Sequence, residues 1–173
     1  MFVLGHVGIG SHLLPRRFRS RALWGWVALG CLLPDLLDKP LWLLGLARGT
    51  RLFGHTLLFV GALLVAGWLS RRPWLRAIGL GAVTHLALDL AGELFSGHPV
   101  WKSWLLWPGF GWGFPAAGSQ DLLQHLLSVS AQSFYLGGEV LGLLLLLWDW
   151  SRRGSTHLLL PVIILISVAI AVA

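Results

Sequence analysis

Charge is what this sequence has least of. Only 12% of its 173 residues are Asp, Glu, Lys or Arg, about half the share found in a soluble domain. Hydrophobic residues make up 56%, and the mean hydropathy is +0.76. That balance argues against a water-soluble globule. Cysteine is almost missing: Cys31 stands alone, which excludes an intrachain disulfide and a cysteine-based metal site. No basic residue precedes the apolar run over residues 1–14, so no signal peptide is read there. Internal repeats and low-complexity linkers are also lacking, and residues 1–173 read as a single integral-membrane domain.

What the chain does have is apolar runs, several of them long enough to cross a bilayer. They predict an all-α, polytopic transmembrane protein with about five spans plus interfacial or re-entrant helices. Residues 2–14 are apolar but short, broken by glycines and carrying His6 and His12. The first clear span covers residues 22 to about 37. It ends where Pro34 and Pro40 bracket Asp35 and Asp38, a pattern expected to stop or kink a helix. Residues 41–47 are too short to cross and are expected at the interface. Residues 55–70, 74–94, 134–150 and 157–173 supply the remaining spans. Residues 97–118, rich in Gly, Pro and Trp, read as an interfacial loop or re-entrant segment. Ser119 can cap a helix with Asp121, Gln124, His125, Ser128 and Gln132 along one stripe. Eleven tryptophans suit interfacial belts.

The net charge of +6 is gathered in short arginine clusters beside apolar runs, a pattern that sets topology and touches anionic lipid rather than nucleic acid. Placing residues 16–21, 71–76 and 152–153 in the cytoplasm agrees with every span. Lys39, Arg48, Arg51 and Lys102 then lie outside, with every acid except Asp149 on the outer half.

Three ionisable residues interrupt the run over residues 74–94. His85, Asp89 and Glu93 are successive i, i+4 neighbours and share one helix face. Burying them in hydrocarbon costs several kcal/mol unless each finds a partner. A metal ion is one partner that satisfies all three; a His–Asp lock between helices is the plainer reading. Depth counted at 1.5 Å per residue from the cytoplasmic basic clusters separates the two. His6 comes at about 15 Å, His85 at about 18 Å, Glu139 at about 20 Å and Asp35 at about 21 Å. His55 and Asp89 both come at about 24 Å. Independent locks have no reason to share one layer, so a common site in the outer leaflet is expected.

His with Asp or Glu and no cysteine suits Zn²⁺, Mn²⁺ or Fe²⁺. The expected ligands are His6, Asp35, His55, His85 and Asp89, enough for one ion, or for two if a carboxylate bridges. A metal-activated water is a nucleophile, and Asp35 or Asp38 could orient it as general base. Asp121 and His125 could supply a further metal position, with His125 as ligand, or form the wet face of an interfacial helix. His12 is expected to face headgroups, His98 solvent and His157 an interface. Glu93 either continues the His85–Asp89 face into the site or, near its helix end, faces water, and Glu139 could line the site.

The residues Gly5-His6, Cys31-Leu32-Leu33-Pro34-Asp35, Phe53-Gly54-His55-Thr56-Leu57-Leu58, Thr84-His85-Leu86-Ala87-Leu88-Asp89 and Leu105-Leu106-Trp107-Pro108 form an ordered set. Over roughly the first two-thirds of the chain this set resembles the bacterial inner-membrane proteins classed as membrane-bound metal-dependent hydrolases. It is similar, more distantly, to the all-helical zinc-dependent phospholipase C superfamily. The resemblance implies that His6, Asp35, His55, His85 and Asp89 belong to a metal centre. The chain departs from the family pattern in two places. Pro34-Asp35-Leu36-Leu37-Asp38-Lys39 has one residue more than Pro-Asp-x-Asp-His and lacks its histidine. His55 stands alone where His-Arg-Gly-x-Thr-His has two histidines.

The expected function is therefore metal-dependent hydrolysis of a phosphoester, with zinc the first choice of metal. A membrane lipid is the expected substrate, and Arg48, Arg51 or Lys102 would hold its anionic headgroup. The expected place is the cytoplasmic membrane of a bacterium or archaeon, the site toward the outer leaflet. A divalent-metal transporter and a non-catalytic scaffold are the rivals.

Overall fold

The structure, a computed structural model, describes residues 3–97, 100–117, 124 and 133–153. All regular structure among them is helical. The helices are α1 (Val3–Leu13), α2 (Trp24–Leu43), α3 (Leu57–Leu69), α4 (Pro73–Ser96), α5 (Trp101–Leu105) and α6 (Ser133–Arg153). Short 3₁₀ turns lie at Arg16–Arg19 and Phe53–His55. The expected span over 157–173 and nearly all of the 119–133 helix fall outside the described residues.

Local sequence accounts for most helix ends. Thr56 precedes α3, and its hydroxyl accepts from the Phe59 amide at 3.0 Å. Pro73 opens α4, where its missing N–H costs nothing, and Gly97 closes it in the left-handed region at φ 71°. Between these helices, Arg76 reaches back to the carbonyls of Gly67 (3.0 Å) and Trp68 (3.4 Å). Both carbonyls lie in the last turn of α3, where Trp68 O also accepts from the Arg71 amide at 3.2 Å, and the bonds tie α3 and α4 into a hairpin.

One expectation is corrected. Pro34 and Pro40 do not end the second segment: α2 runs through both to Leu43 and absorbs the start of the stretch expected to lie separately at the interface. Each proline removes one backbone donor but leaves the rest of the ladder to carry the helix. Asp35 and Asp38 therefore project from a continuous helix and not from a loop.

The helices approach closely where side chains are missing. A Cβ added to Gly30 would meet the Ile78 carbonyl, and one on Gly81 would meet the Val27 carbonyl, so α2 and α4 touch backbone to backbone. Gly8 and Gly142 do the same for α1 and α6, which run in the same direction. Close crossing at small residues is how helices associate in lipid, where burying leucine gains little. Glu139 of α6 adds a cap, accepting from the Leu4 amide (3.0 Å) and the Gly5 amide (2.9 Å) at the start of α1. It does not line the expected site.

Polarity is inverted relative to a soluble globule. His6, His55 and His85 are fully buried, while Leu58, Trp68, Leu69 and Leu144 are 57–75% exposed. Among the described residues α4 alone is long and apolar enough to cross a bilayer, and α3 is a shorter apolar helix.

The α2–α4 contact yields a direct prediction. Gly30→Ala or Gly81→Ala should destabilise the protein by about 1–3 kcal/mol through overpacking. Gly61→Ala, where the new methyl meets nothing within 4 Å, should be neutral or slightly stabilising. Thermal unfolding in detergent measures both.

Candidate metal centre

Helix α4 carries the first part of the site. His85, Asp89 and Glu93 recur on one face, and all three are buried. The close approach of α2 brings the Cys31 carbonyl to 2.6 Å from His85 Nδ1. A carbonyl only accepts, so Nδ1 carries the hydrogen and Nε2 of the neutral ring presents a lone pair.

His55 is oriented in the same way by a different device. Asp38 Oδ2 lies 2.7 Å from His55 Nδ1 and accepts from the Leu52 amide at 2.7 Å. Its Oδ1 accepts from the Gly54 amide at 3.0 Å. Asp38 therefore folds the turn before α3 around itself and leaves His55 Nε2 as the open nitrogen. Both Asp38 oxygens are engaged and the residue is buried at 1% exposure, so Asp38 orients the His55 ring. Of the two carboxylates expected as candidate bases, Asp35 is the more exposed.

The two open nitrogens face each other, His55 Nε2 lying 3.1 Å from His85 Nε2. Asp35 Oδ1 is 3.5 Å from the first and 3.9 Å from the second, and Asp89 Oδ2 is 3.6 Å from the first. Ligands about 2.0–2.1 Å from a tetrahedral ion stand roughly 3.3 Å apart. His6 enters from α1, stacked on His85 with ring centroids 3.8 Å apart and planes at 17°. Its Nε2 comes within 3.3 Å of Asp89 Oδ1, yet neither ring nitrogen makes a hydrogen bond among the described residues. Two triads, His6–Asp35–His85 and His55–His85–Asp89, have donor atoms close enough to share an ion. His85 belongs to both but has a single open nitrogen, which favours one ion over two.

Cations hem this cluster. Lys39 Nζ sits 2.6 Å from Asp35 Oδ2. Arg51 gives Nε to Asp89 Oδ2 at 2.8 Å and Nη1 to Glu93 Oε1 at 2.6 Å, and lies over the Trp104 ring at 5.2 Å. Burial alone would lower the Arg51 pKa; the Asp89 and Glu93 carboxylates outweigh it and hold the guanidinium above its ordinary value. Glu93 also accepts from Trp104 Nε1 at 2.9 Å. It is buried and bonded, which favours the reading that continues the His85–Asp89 face over the one that turns it to water.

The structure thus brings His6, Asp35, His55, His85 and Asp89 together, with Glu93 beside them. Asp121 and His125, the latter an expected ligand, lie outside the described residues, as do His98 and His157. His12 is half-buried: its Nδ1 meets the Gly8 carbonyl at 2.8 Å and its Nε2 approaches Asp149 at 3.6 Å. In the Trp-rich segment, Trp107 and Phe114 pack on Phe53 at 4.9 and 5.1 Å, two residues from His55. Two participants escaped the sequence reading. The Cys31 carbonyl carries no residue-type signal at all. Trp104 is one indole among many, marked only by its burial. No protein family, curated protein or solved structure matches the chain.

Asp38→Ala removes the acceptor of two buried amides and of His55. The turn over residues 52–55 should then exchange amide hydrogens at least tenfold faster at Leu52 and Gly54, with a loss of about 3 kcal/mol or more in stability. Hydrogen exchange read by mass spectrometry checks the first, and thermal unfolding the second.

Proposed function

We propose that this protein is a membrane-embedded, metal-dependent hydrolase acting on a phosphoester, with a membrane lipid as substrate. One observation carries the metal part. Two buried imidazoles have both Nδ1 atoms committed to acceptors, and their Nε2 atoms stand 3.1 Å apart. A proton shared between these nitrogens satisfies the pair in the absence of metal; a divalent cation would take both as donors, and two carboxylates are within reach of it. Zinc suits two histidines and two carboxylates, with His6 as a further donor; Mn²⁺ and Fe²⁺ fit the same donors. The ordered motifs resembling membrane-bound metal-dependent hydrolases support the same reading.

The membrane part rests on the inverted polarity. Leucines and tryptophans on α3 and α6 face outward while the histidines and carboxylates face inward, the arrangement expected when hydrocarbon is the solvent. Several spans, the arginine clusters in the cytoplasm and the site in the outer leaflet of an inner membrane follow from the sequence pattern.

The roles divide as follows. His55, His85 and Asp89 would hold the cation, His6 would be a further donor, Asp35 would either join the shell or act as base, and Asp38 and the Cys31 carbonyl orient the two rings. A divalent ion there supplies a Lewis acid and a water of lowered pKa. Asp35 is the carboxylate at the rim, its side chain 15% exposed against 6% for Asp89. It is the group placed to orient a water entering from outside and to take its proton.

The protein purified in detergent should contain about one equivalent of divalent metal by elemental analysis. His85→Ala and Asp89→Ala should lose it, and Asp38→Asn should bind it roughly 10–100-fold more weakly. Metal-dependent release of headgroups from mixed phospholipids should accompany binding. Wild type that stays metal-free under metal-replete conditions refutes the centre and leaves the His–Asp contacts as helix locks. Bound metal without turnover on any phosphoester refutes the hydrolase.

A further inference from the structure

Arg51 and Glu93 do more than balance charge beside the cluster. Arg51 is anchored on two sides, through Nε to Asp89 and through Nη1 to Glu93, with the Trp104 ring across its face. Its Nη2 makes no hydrogen bond to a described residue, and the side chain is 22% exposed, against 6% for each carboxylate it holds. The guanidinium is therefore a rigid cation with one edge turned outward. Its other edge rests on an oxygen that also lies 3.6 Å from His55 Nε2. Glu93 supplies the second observation. Its Oε1 accepts from both Arg51 and Trp104, whereas Oε2 is buried with no hydrogen-bond partner among the described residues. A buried carboxylate oxygen without a donor costs about 1–3 kcal/mol and calls for an explanation.

We propose that Arg51 and Glu93 form a two-point docking subsite for a phosphoester that also carries a hydroxyl or ammonium group. The outward edge of Arg51 takes an anionic phosphoryl oxygen, and Glu93 Oε2 takes a hydrogen from the donor on the same molecule. The inference rests on the metal-dependent phosphoesterase reading and narrows its substrate class. Arg51 suits the anion because its planar fork is held in place before the ligand arrives, so little side-chain entropy is lost on binding. Glu93 then discriminates. A phosphoester without a donor leaves Oε2 unsatisfied, and a site built for a donor rejects analogues that lack it. Lys102, stacked on Trp101 at 5.7 Å, has no carboxylate partner of this kind and takes no part.

The test is calorimetric titration of the full chain in detergent at pH 8, on samples whose metal content is measured alongside. The probes are phosphoethanolamine and glycerol 3-phosphate, which carry donors, and methyl phosphate, which at that pH carries none. Wild type should bind the first two at least about fivefold more tightly than methyl phosphate. Glu93→Ala should erase that preference. Arg51→Gln should weaken all three by about tenfold or more, and Lys102→Gln should leave them within about twofold. Equal wild-type affinities, or an Arg51→Gln protein with full metal and wild-type affinity, overturn the proposal. Should the single variants unfold, Arg51→Lys retains the charge without the fork, and the double variant Arg51→Gln/Glu93→Gln removes both charges together. Both should lose affinity, and unchanged binding by either overturns the subsite.

Metal content separates the two ideas. If wild type holds no metal, the hydrolase reading fails, while donor-dependent binding lost on Arg51→Gln still establishes the subsite. Phosphatidylethanolamine in mixed micelles distinguishes sources. Tighter binding than phosphoethanolamine supports the subsite with a lipid occupant, equal binding supports it with a soluble ester, and no binding of either overturns it.

Discussion

Everything around the centre depends on two imidazole nitrogens held 3.1 Å apart. Neither ring can turn away. His85 is pinned by a backbone carbonyl of α2, and His55 by a carboxylate that also organises its own turn. A backbone acceptor and a carboxylate acceptor give the same tautomer by different routes, and each moves rigidly with the helix or turn that supplies it. Two neutral rings so placed need a shared proton or a cation between them, and the buried His and Asp groups around them could hold a metal ion.

The glycine crossings make that geometry possible. Cys31 can reach His85 only because Gly30 and Gly81 let α2 and α4 approach backbone to backbone. α6 plays the matching part for α1: Gly142 packs on Gly8, and Glu139 caps the helix that carries His6. The buried polar groups sit between apolar clusters, while many large apolar side chains lie exposed. Lys39 and Arg51 pair with the acids of the centre.

The helical class was legible because long apolar runs punctuated by arginine, glycine and proline leave few alternatives. Helix ends at Thr56, Pro73 and Gly97 followed from side chains whose capping chemistry is local. The persistence of α2 through Pro34 and Pro40 did not, because local chemistry reports the lost donor and not the neighbouring helix packed against the segment. Of the centre, the depth count could place His6, Asp35, His55, His85 and Asp89 in one layer, since rise per residue is fixed by backbone geometry. It could not say which residues in that layer face one another. Glu139 shared the depth and turned out to cap α1; Asp38 looked like a free carboxylate and is spent on His55.

The sequence by itself determined the helical class, the spacing of the ionisable residues along their helices and the donor types a cation would find. Those follow from composition, periodicity and a constant helical rise, all of which are local. Only the tertiary structure decided which nitrogen of each histidine is open, that Asp38 orients while Asp35 stands at the rim, and that Arg51 is clasped between Asp89 and Glu93 under Trp104. Rotation of a helix about its axis and the tautomer of a ring are set by contacts between segments far apart in the chain. No property of one segment alone fixes them.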